Sequence, residues 1–233
     1  LQQERVPMDY MTAKRLQIDL IAAGFDPGAI DGAAGPQTCA ALRAFQAAHG
    51  LVSDGSAGPR TRALLGNTPP WLRQAGQLLG TRERTGAADN PAILGWARAL
   101  GLAYAGDSVP WCGLFVAHCL ASVLPGTALP ATPLWARSWA RFGVTVPPVP
   151  GAIMVFWRGR RGAGSGHVGF HAGESADAYR ILGGNQSDGV SLTWLGKDRL
   201  LAARWPPGGV PVPVPAQAAW GLLSSGPLSV NEA

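Results

Sequence analysis

"PPVPGAIMVFWRGRRGAGSGHVGFHAGE", residues 147–174, is where the character of the chain changes. Upstream, apolar residues recur at helical spacing; from Ile153 onward they come in short runs broken by glycine-rich turns. Such runs, rich in β-branched and aromatic side chains, suit a pleated and half-buried surface. "AIMVFWR" and "GHVGFHAG" lie inside this stretch, and "AYRILGGN", "GVSLTWLG" and "LLAARWP" follow it, joined by turns such as "SDG" and "GKD". About five strands in antiparallel order are expected. Before the stretch, "TPLWARSWARFG" and the run after "DSVPWC" read as helices, and "DNPAILGWARALG" has Asn90 as cap, Pro91 at the first helical position and Gly101 as stop. "PWLRQAGQLLG" places Trp71, Ala75, Leu78 and Leu79 on one face. Helices followed by an antiparallel sheet make an α+β layout.

Further towards the N-terminus the chain repeats itself. "DGAAGPQTCAAL" (31–42) recurs as "DGSAGPRTRALL" (54–65), each with Gly-Pro opening a helix. "TAKRLQIDLIAAG" reads as a helix stopped by Gly24, and "AALRAFQAAHG" carries Cys39, Leu42 and Phe45 on one face, which makes Cys39 a core residue. The result is a three-helix unit over residues 11–66. It resembles the peptidoglycan-binding module found at the ends of cell-wall hydrolases, through a pattern that includes Asp31, Gly32, Thr38, Phe45, Gln46, Gly50, Asp54, Gly55 and Thr61. The resemblance implies wall contact by Asp31, Gly32, Thr38, Asp54 and Gly55, with peptidoglycan as partner. "GNTPP" supplies a stiff hinge, with a linker at 67–70, a second domain over 71–207, and a proline-rich tail over 208–233 to which the sequence assigns no task.

Composition narrows the functions. The chain has 233 residues, 47% hydrophobic and 14% charged, with a net charge of +5 carried almost wholly by arginine. That balance favours an anionic polymer, but the arginines are scattered, with no basic stripe or aromatic platform for nucleic acid. A polyanionic envelope surface fits instead. No run is long and apolar enough for membrane insertion, and the first 25 residues lack the continuous apolar core of a signal peptide. Synthesis in the cytoplasm and action in the periplasm or cell wall after release are expected, as a monomer. Three cysteines make no disulfide framework. Cys112 and Cys119, seven residues apart on one helix, are separated by about 10.5 Å of rise, beyond a disulfide's reach.

Chemistry concentrates on Cys112. A thiolate nucleophile needs its pKa brought down by a helix N-terminus, a neighbouring imidazolium, or both. Pro110 marks an opening turn, and Asp107 or Ser108 is placed to cap it; Cys119, two turns further, is expected to be buried and inert. Of the four histidines, His49 belongs to the first unit and His118 points away from Cys112 along the same helix. His167 and His171 share a strand and a face, and His167 is preferred because "GAGSG" before it lets backbone and substrate approach. An orienting group for the imidazole is offered by Asn185 in "LGGNQSDG", with Glu174 as competitor. Cys, His and Asn would follow the chain order of papain-like hydrolases, where roles rather than spacing identify the triad. A zinc site from Cys112, His118, Cys119 and His167 lacks the usual ligand spacing, and no phosphate loop is present, so neither metal nor cofactor is expected.

"PWCGLFVAHCL", "ARSWARFG", "PVPGAIMVFWRG", "GSGHVGFHAGE" and "ILGGNQSDGVS" together resemble a CHAP-type domain (cysteine, histidine-dependent amidohydrolase/peptidase), a papain-like fold common in phage-derived endolysins. The resemblance covers residues 71–206. It implies Cys112 as nucleophile, His167 as base and Asn185 at the third position, where the superfamily also carries Glu or Gln. Gly113 stands where Ala is common, and His171 where an aromatic or aliphatic residue is. The backbone N–H of Cys112 would join an oxyanion hole with a group from Asp107 or Ser108. Trp111, Tyr104 and Gly166, with Trp135 and Trp139, are candidates for the substrate groove. The implied activity is cleavage of a stem-peptide or cross-link amide; an N-acetylmuramoyl-L-alanine amidase is the alternative within the class. A non-catalytic wall-binding or phage structural protein is the alternative outside it.

Overall fold

The computed structural model describes residues 10–66, 68–84, 88–208 and 227–229. Helices α1 (Tyr10–Ala22), α2 (Pro36–Ala48) and α3 (Pro59–Leu65) build the N-terminal unit around Leu16, Leu20, Phe25, Ala41, Leu42, Phe45 and Leu65. Phe25 meets Phe45 edge to face at 5.5 Å, the arrangement the ring quadrupoles prefer. Cys39 is only half-buried and stands outside this cluster, so the core assignment is corrected. Four helices, α2, α3, α4 (Pro70–Gln77) and α5 (Pro91–Ala99), open on proline, which is pre-set in φ and lacks an N–H that would go unpaired there. Asn90 caps α5 as expected, accepting from the Ala92 N–H at 2.8 Å.

The larger unit is α+β. Helix α6 (Cys112–Ala121) is its central helix; the expected helix "TPLWARSWARFG" is a 3-10 turn over Ala136–Arg141. Local side-chain bonds explain the shortening: Ser138 donates to the carbonyls of Thr132 and Trp135, and Trp139 to that of Pro133. The sheet has six strands rather than about five: β1 (Val144–Thr145), β2 (Ile153–Trp157), β3 (Gly166–Glu174), β4 (Ala178–Gly183), β5 (Ser191–Gly196) and β6 (Leu200–Trp205). Their order is β1-β6-β2-β3-β4-β5, antiparallel throughout. The addition is β1, two exposed residues without an apolar run to announce them. Register sets Phe156 opposite His167 and Ile153 opposite Phe170, and a bulge between His171 and Gly173 bends β3 against β4.

Helix α6 packs on β3 through Phe115 and Phe170, whose rings lie 6.1 Å apart. Gly113 is required where α6 meets the segment before the 3-10 turn, because a Cβ there would run into the Pro133 and Leu134 carbonyls. Trp71 donates to the Gly151 carbonyl at 2.8 Å and stacks edge-on against Trp205, tying α4 to the final strand.

The two units are joined by more than a tether. Ile21 and Ala22 of α1 belong to the larger core, and α4 crosses α1 so closely that a Cβ on Gly76 would lie 2.6 Å from Ile18. Asp19 pairs with Arg15 at 2.9 Å and with Arg73 at 3.3 Å; Asp26 forms an ion pair with Arg180 at 3.1 Å. The expected hinge is therefore a packed corner: Thr68 and Pro69 are buried and Pro70 is the first residue of α4. Most of the 208–233 tail lies outside the described residues. Leu228 bridges Trp194 in parallel and Ser229 donates to the Trp194 carbonyl at 2.9 Å, adding a short piece to the β5 edge.

Candidate functional site

Cys112 is the first residue of α6, after Trp111 as N-cap. The helix starts later than Pro110, and no side chain caps it, which corrects the capping role given to Asp107 and Ser108. The backbone N–H groups of Val168 on β3, of Gly113 and of Cys112 itself lie by the sulfur and favour its thiolate. The first of these sets the thiol against the residue that follows His167. Burial pushes the Cys112 thiol above the ordinary cysteine range, while those N–H groups and the Arg158 guanidinium pull it down. The group is thus a thiol at rest. Cys119 is completely buried and its thiol is pushed further up by burial alone, as befits a packing residue.

His167 is completely buried at the start of β3, and its Nε2 lies 3.1 Å from Oε1 of Gln186. Gln186 is held by its other end: its Nε2 donates to the Ser191 carbonyl at 2.6 Å and the Ser191 hydroxyl at 3.2 Å. With the amide nitrogen so engaged, the oxygen faces the ring, so this network assigns the proton to His167 Nε2. Nδ1 is then the basic nitrogen. The orienting group is Gln186, and the roles expected of Asn185 and Glu174 are corrected. Asn185 is buried with φ at 57°, and its Oδ1 has no hydrogen-bond partner among the described residues. Ser187 and Asp188 are also left-handed, at 52° and 59°, so the segment leaves the strand alternation that favoured Asn185. Glu174 pairs with Lys197 at 2.7 Å at the far end of β3. Gly183 and Gly184 make the approach possible. A Cβ on the first would lie 2.7 Å from Gln186 Oε1 and 3.0 Å from His167 Nε2, and one on the second 2.6 Å from both Trp111 and Phe115.

The other expected contacts are redistributed. Asp107 is buried and accepts from the N–H groups of Asn90 (2.7 Å) and Arg84 (3.1 Å). Burial opposes its ionisation, and those two N–H groups together with Asp89 and the Arg84 charge outweigh it, leaving the carboxyl below its usual range. Ser108 is exposed. Trp111 is fully buried and donates to Glu83 at 2.7 Å, so it packs behind Cys112 rather than on an open surface. Glu83 had no motif to mark it; burial raises its carboxyl, against the Trp111 bond. Tyr104 is half-buried and donates to the Val109 carbonyl at 2.6 Å; burial, then the charges of Glu83, Asp107, Asp89 and Cys112, raise its phenol. Gly166 is pressed against the Phe156 carbonyl and Arg137, which takes it out of a groove. Trp139 is buried, whereas Trp135 is 67% exposed and is the tryptophan of this group free to meet a ligand. His118 stacks on Trp96 at 5.0 Å, away from the thiol. Among the described residues no three His, Cys, Asp or Glu side chains converge as a metal site, and no helix is long and apolar enough to cross a membrane.

In the N-terminal unit the repeat resolves into two copies of one clamp. Gln17 Nε2 donates to Asp31 Oδ1 (2.9 Å), the Ala33 carbonyl (3.0 Å) and Thr38 Oγ1 (3.3 Å), and its Oε1 accepts from the Gly32 N–H (2.9 Å). Gln46 makes the same four bonds to Asp54, Ser56, Thr61 and Gly55, at 2.9, 2.9, 3.3 and 2.9 Å. Buried amide groups must find partners, and each clamp satisfies one glutamine completely. Asp31, Gly32, Thr38, Asp54 and Gly55 therefore hold loops in shape, while the Asp31 and Asp54 side chains stay exposed. Gln17 escaped notice because it stands 14 residues before its aspartate, against 8 for Gln46.

The chain matches no curated protein and no solved structure. Residues 12–65, the α1–α3 unit with both clamps, match the family model of the peptidoglycan binding domain, so this chain carries a cell-wall-binding module with peptidoglycan as its indicated partner.

Proposed function

We propose that the protein is a cysteine-dependent peptidoglycan hydrolase of CHAP-like type, in which the N-terminal module holds the wall and the α+β unit cuts an amide of the stem peptide or cross-link. One observation carries the reading: Cys112 is the first residue of a helix and has the Val168 backbone beside its sulfur, next in sequence to the buried His167, whose Nε2 faces Gln186. The resemblance of the surrounding blocks to endolysin domains supports it further.

The chemistry follows from the protonation states. The Cys112 thiol is neutral at rest, so His167 Nδ1 takes its proton as the sulfur attacks the amide carbon. The Cys112 backbone N–H has no intrahelical acceptor at this position and turns to the oxyanion once the sulfur has attacked. Imidazolium then gives the proton to the departing amine, the C–N bond breaks, and a thioester remains. Water, deprotonated by His167, hydrolyses the thioester and restores the thiol. Gln186 keeps the ring in the tautomer whose basic nitrogen serves the sulfur, without adding a charge. Cys112→Ala should abolish release of soluble fragments from purified sacculi while sacculus binding persists; clearing at the wild-type rate overturns the reading. Mass spectrometry of the wild-type digest distinguishes amidase from endopeptidase products.

A further inference from the structure

The two clamps are alike, but their surroundings are not. In the second copy the chain runs from Gly50 to Asp54 with few residues and leaves an open groove of about 500 Å³, lined by Leu51, Val52, Asp54, Ser56, Pro59 and Arg60 among others, with Asp54 Oδ1 accepting from Gln46 Nε2 and the Ser56 N–H. Val52 is 80% exposed on its rim. Arg60 engages no hydrogen bond or ion pair among the described residues, which leaves its five donors for a ligand. In the first copy the corresponding loop, from Gly24 to Asp31, is three residues longer. Those residues close over the equivalent place: Gly28, at φ 82°, lies directly against Gln37, which stands between Pro36 and Thr38 as Arg60 stands between Pro59 and Thr61. The same loop is what meets the larger unit, through Asp26 to Arg180 and through Ile30 on its core.

We infer that the copies have divided the work: the first docks the module on the α+β unit, and the second binds the wall, with Arg60 receiving a carboxylate of a peptidoglycan stem peptide. A guanidinium beside an apolar rim of Leu51, Val52 and Pro59 complements a short peptide of small side chains bearing free carboxylates. A chain of N-acetylglucosamine offers no such anion. The inference rests on the reading of residues 12–65 as a peptidoglycan-binding module and assigns that module's contact surface.

The test uses the full chain with Cys112→Ala, so that ligand is not consumed, titrated calorimetrically with a purified disaccharide-tetrapeptide and sedimented with sacculi. Arg60→Gln, which gives the second copy the residue of the first, should weaken the muropeptide about tenfold, the loss expected of one charge-assisted contact. Its melting midpoint should match that of the parent, since Arg60 supports nothing in the fold. Gln37→Arg should leave affinity unchanged. Equal affinity of Arg60→Gln and a parent that sediments with sacculi overturns the groove and leaves the peptidoglycan reading standing. A parent that fails to sediment overturns both. Peptide-free N-acetylglucosamine oligomers that compete as well as the muropeptide overturn the stem-peptide assignment.

Discussion

The start and the middle of β3 carry the same side chain in opposite circumstances. His167 and His171 lie four residues apart on one strand, and both are buried. His167 has Gln186 at 3.1 Å and stands next to the residue whose N–H meets the Cys112 sulfur. His171 has Tyr179 at 5.6 Å as a ring neighbour, and neither of its ring nitrogens has a hydrogen-bond partner among the described residues. Burial, and then the charge of Lys197, holds its pKa down at about 3, so it is a neutral ring throughout the physiological range. Burial by itself therefore does not mark a functional histidine. What separates the two is a partner that fixes the tautomer.

The largest expected effect comes from replacing the two histidines in turn. In an assay of sacculus solubilisation, His167→Ala should lower the rate by at least about 10³-fold, as loss of a general base does. His171→Phe should keep activity within about threefold, because no step uses that ring. Comparable losses from both would dissolve the contrast.

A smaller effect isolates the orienting group. Gln186→Leu removes the acceptor of His167 Nε2 and should cost on the order of 10²-fold in kcat with KM little changed. Asn185→Gly, which suits the left-handed backbone, should be nearly silent. Gln186→Glu should move the acidic limb of the kcat/KM profile to higher pH, since a carboxylate favours the imidazolium; a purely structural Gln186 would leave that limb in place.

The smallest effect is on stability. His171 binds no proton when folded above pH about 3, whereas unfolding frees it to titrate at its ordinary value. Between those values the unfolded state holds the extra proton, so His171's contribution is fully present above about pH 6.5 and is lost as pH falls. Its slope is at most about 1.4 kcal/mol per pH unit. His171→Phe should flatten urea-derived stability between pH 6 and pH 4 by roughly one proton, and an unchanged slope would assign the acid sensitivity to other groups.

Much of this was legible along the chain. Prolines at helix starts, Asn90 as a cap and five apolar runs are signals over a few residues, and the structure follows them. The doubled Asp-Gly motif marked the module, because a repeat preserves loop geometry. Its hydrogen-bonding role was not legible, since a motif kept for bonds inside a loop looks the same as one kept for a ligand. Gln17 and Gln186 show the limit most clearly. One reaches its aspartate across an interval its counterpart does not share; the other replaces Asn185 because three left-handed residues rotate the segment out of strand alternation.

The sequence by itself determined most of the elements, their order, the repeat, and Cys112 and His167 as the pair to consider, because these depend on periodicity and neighbouring residues. Only the tertiary structure decided which amide orients His167, that Asp107 and Trp111 support the wall of the site, and that one copy of the repeat is docked while the other stays open. Those outcomes turn on which groups meet across long intervals, as Asp26 meets Arg180, and on which buried polar atoms each meeting satisfies.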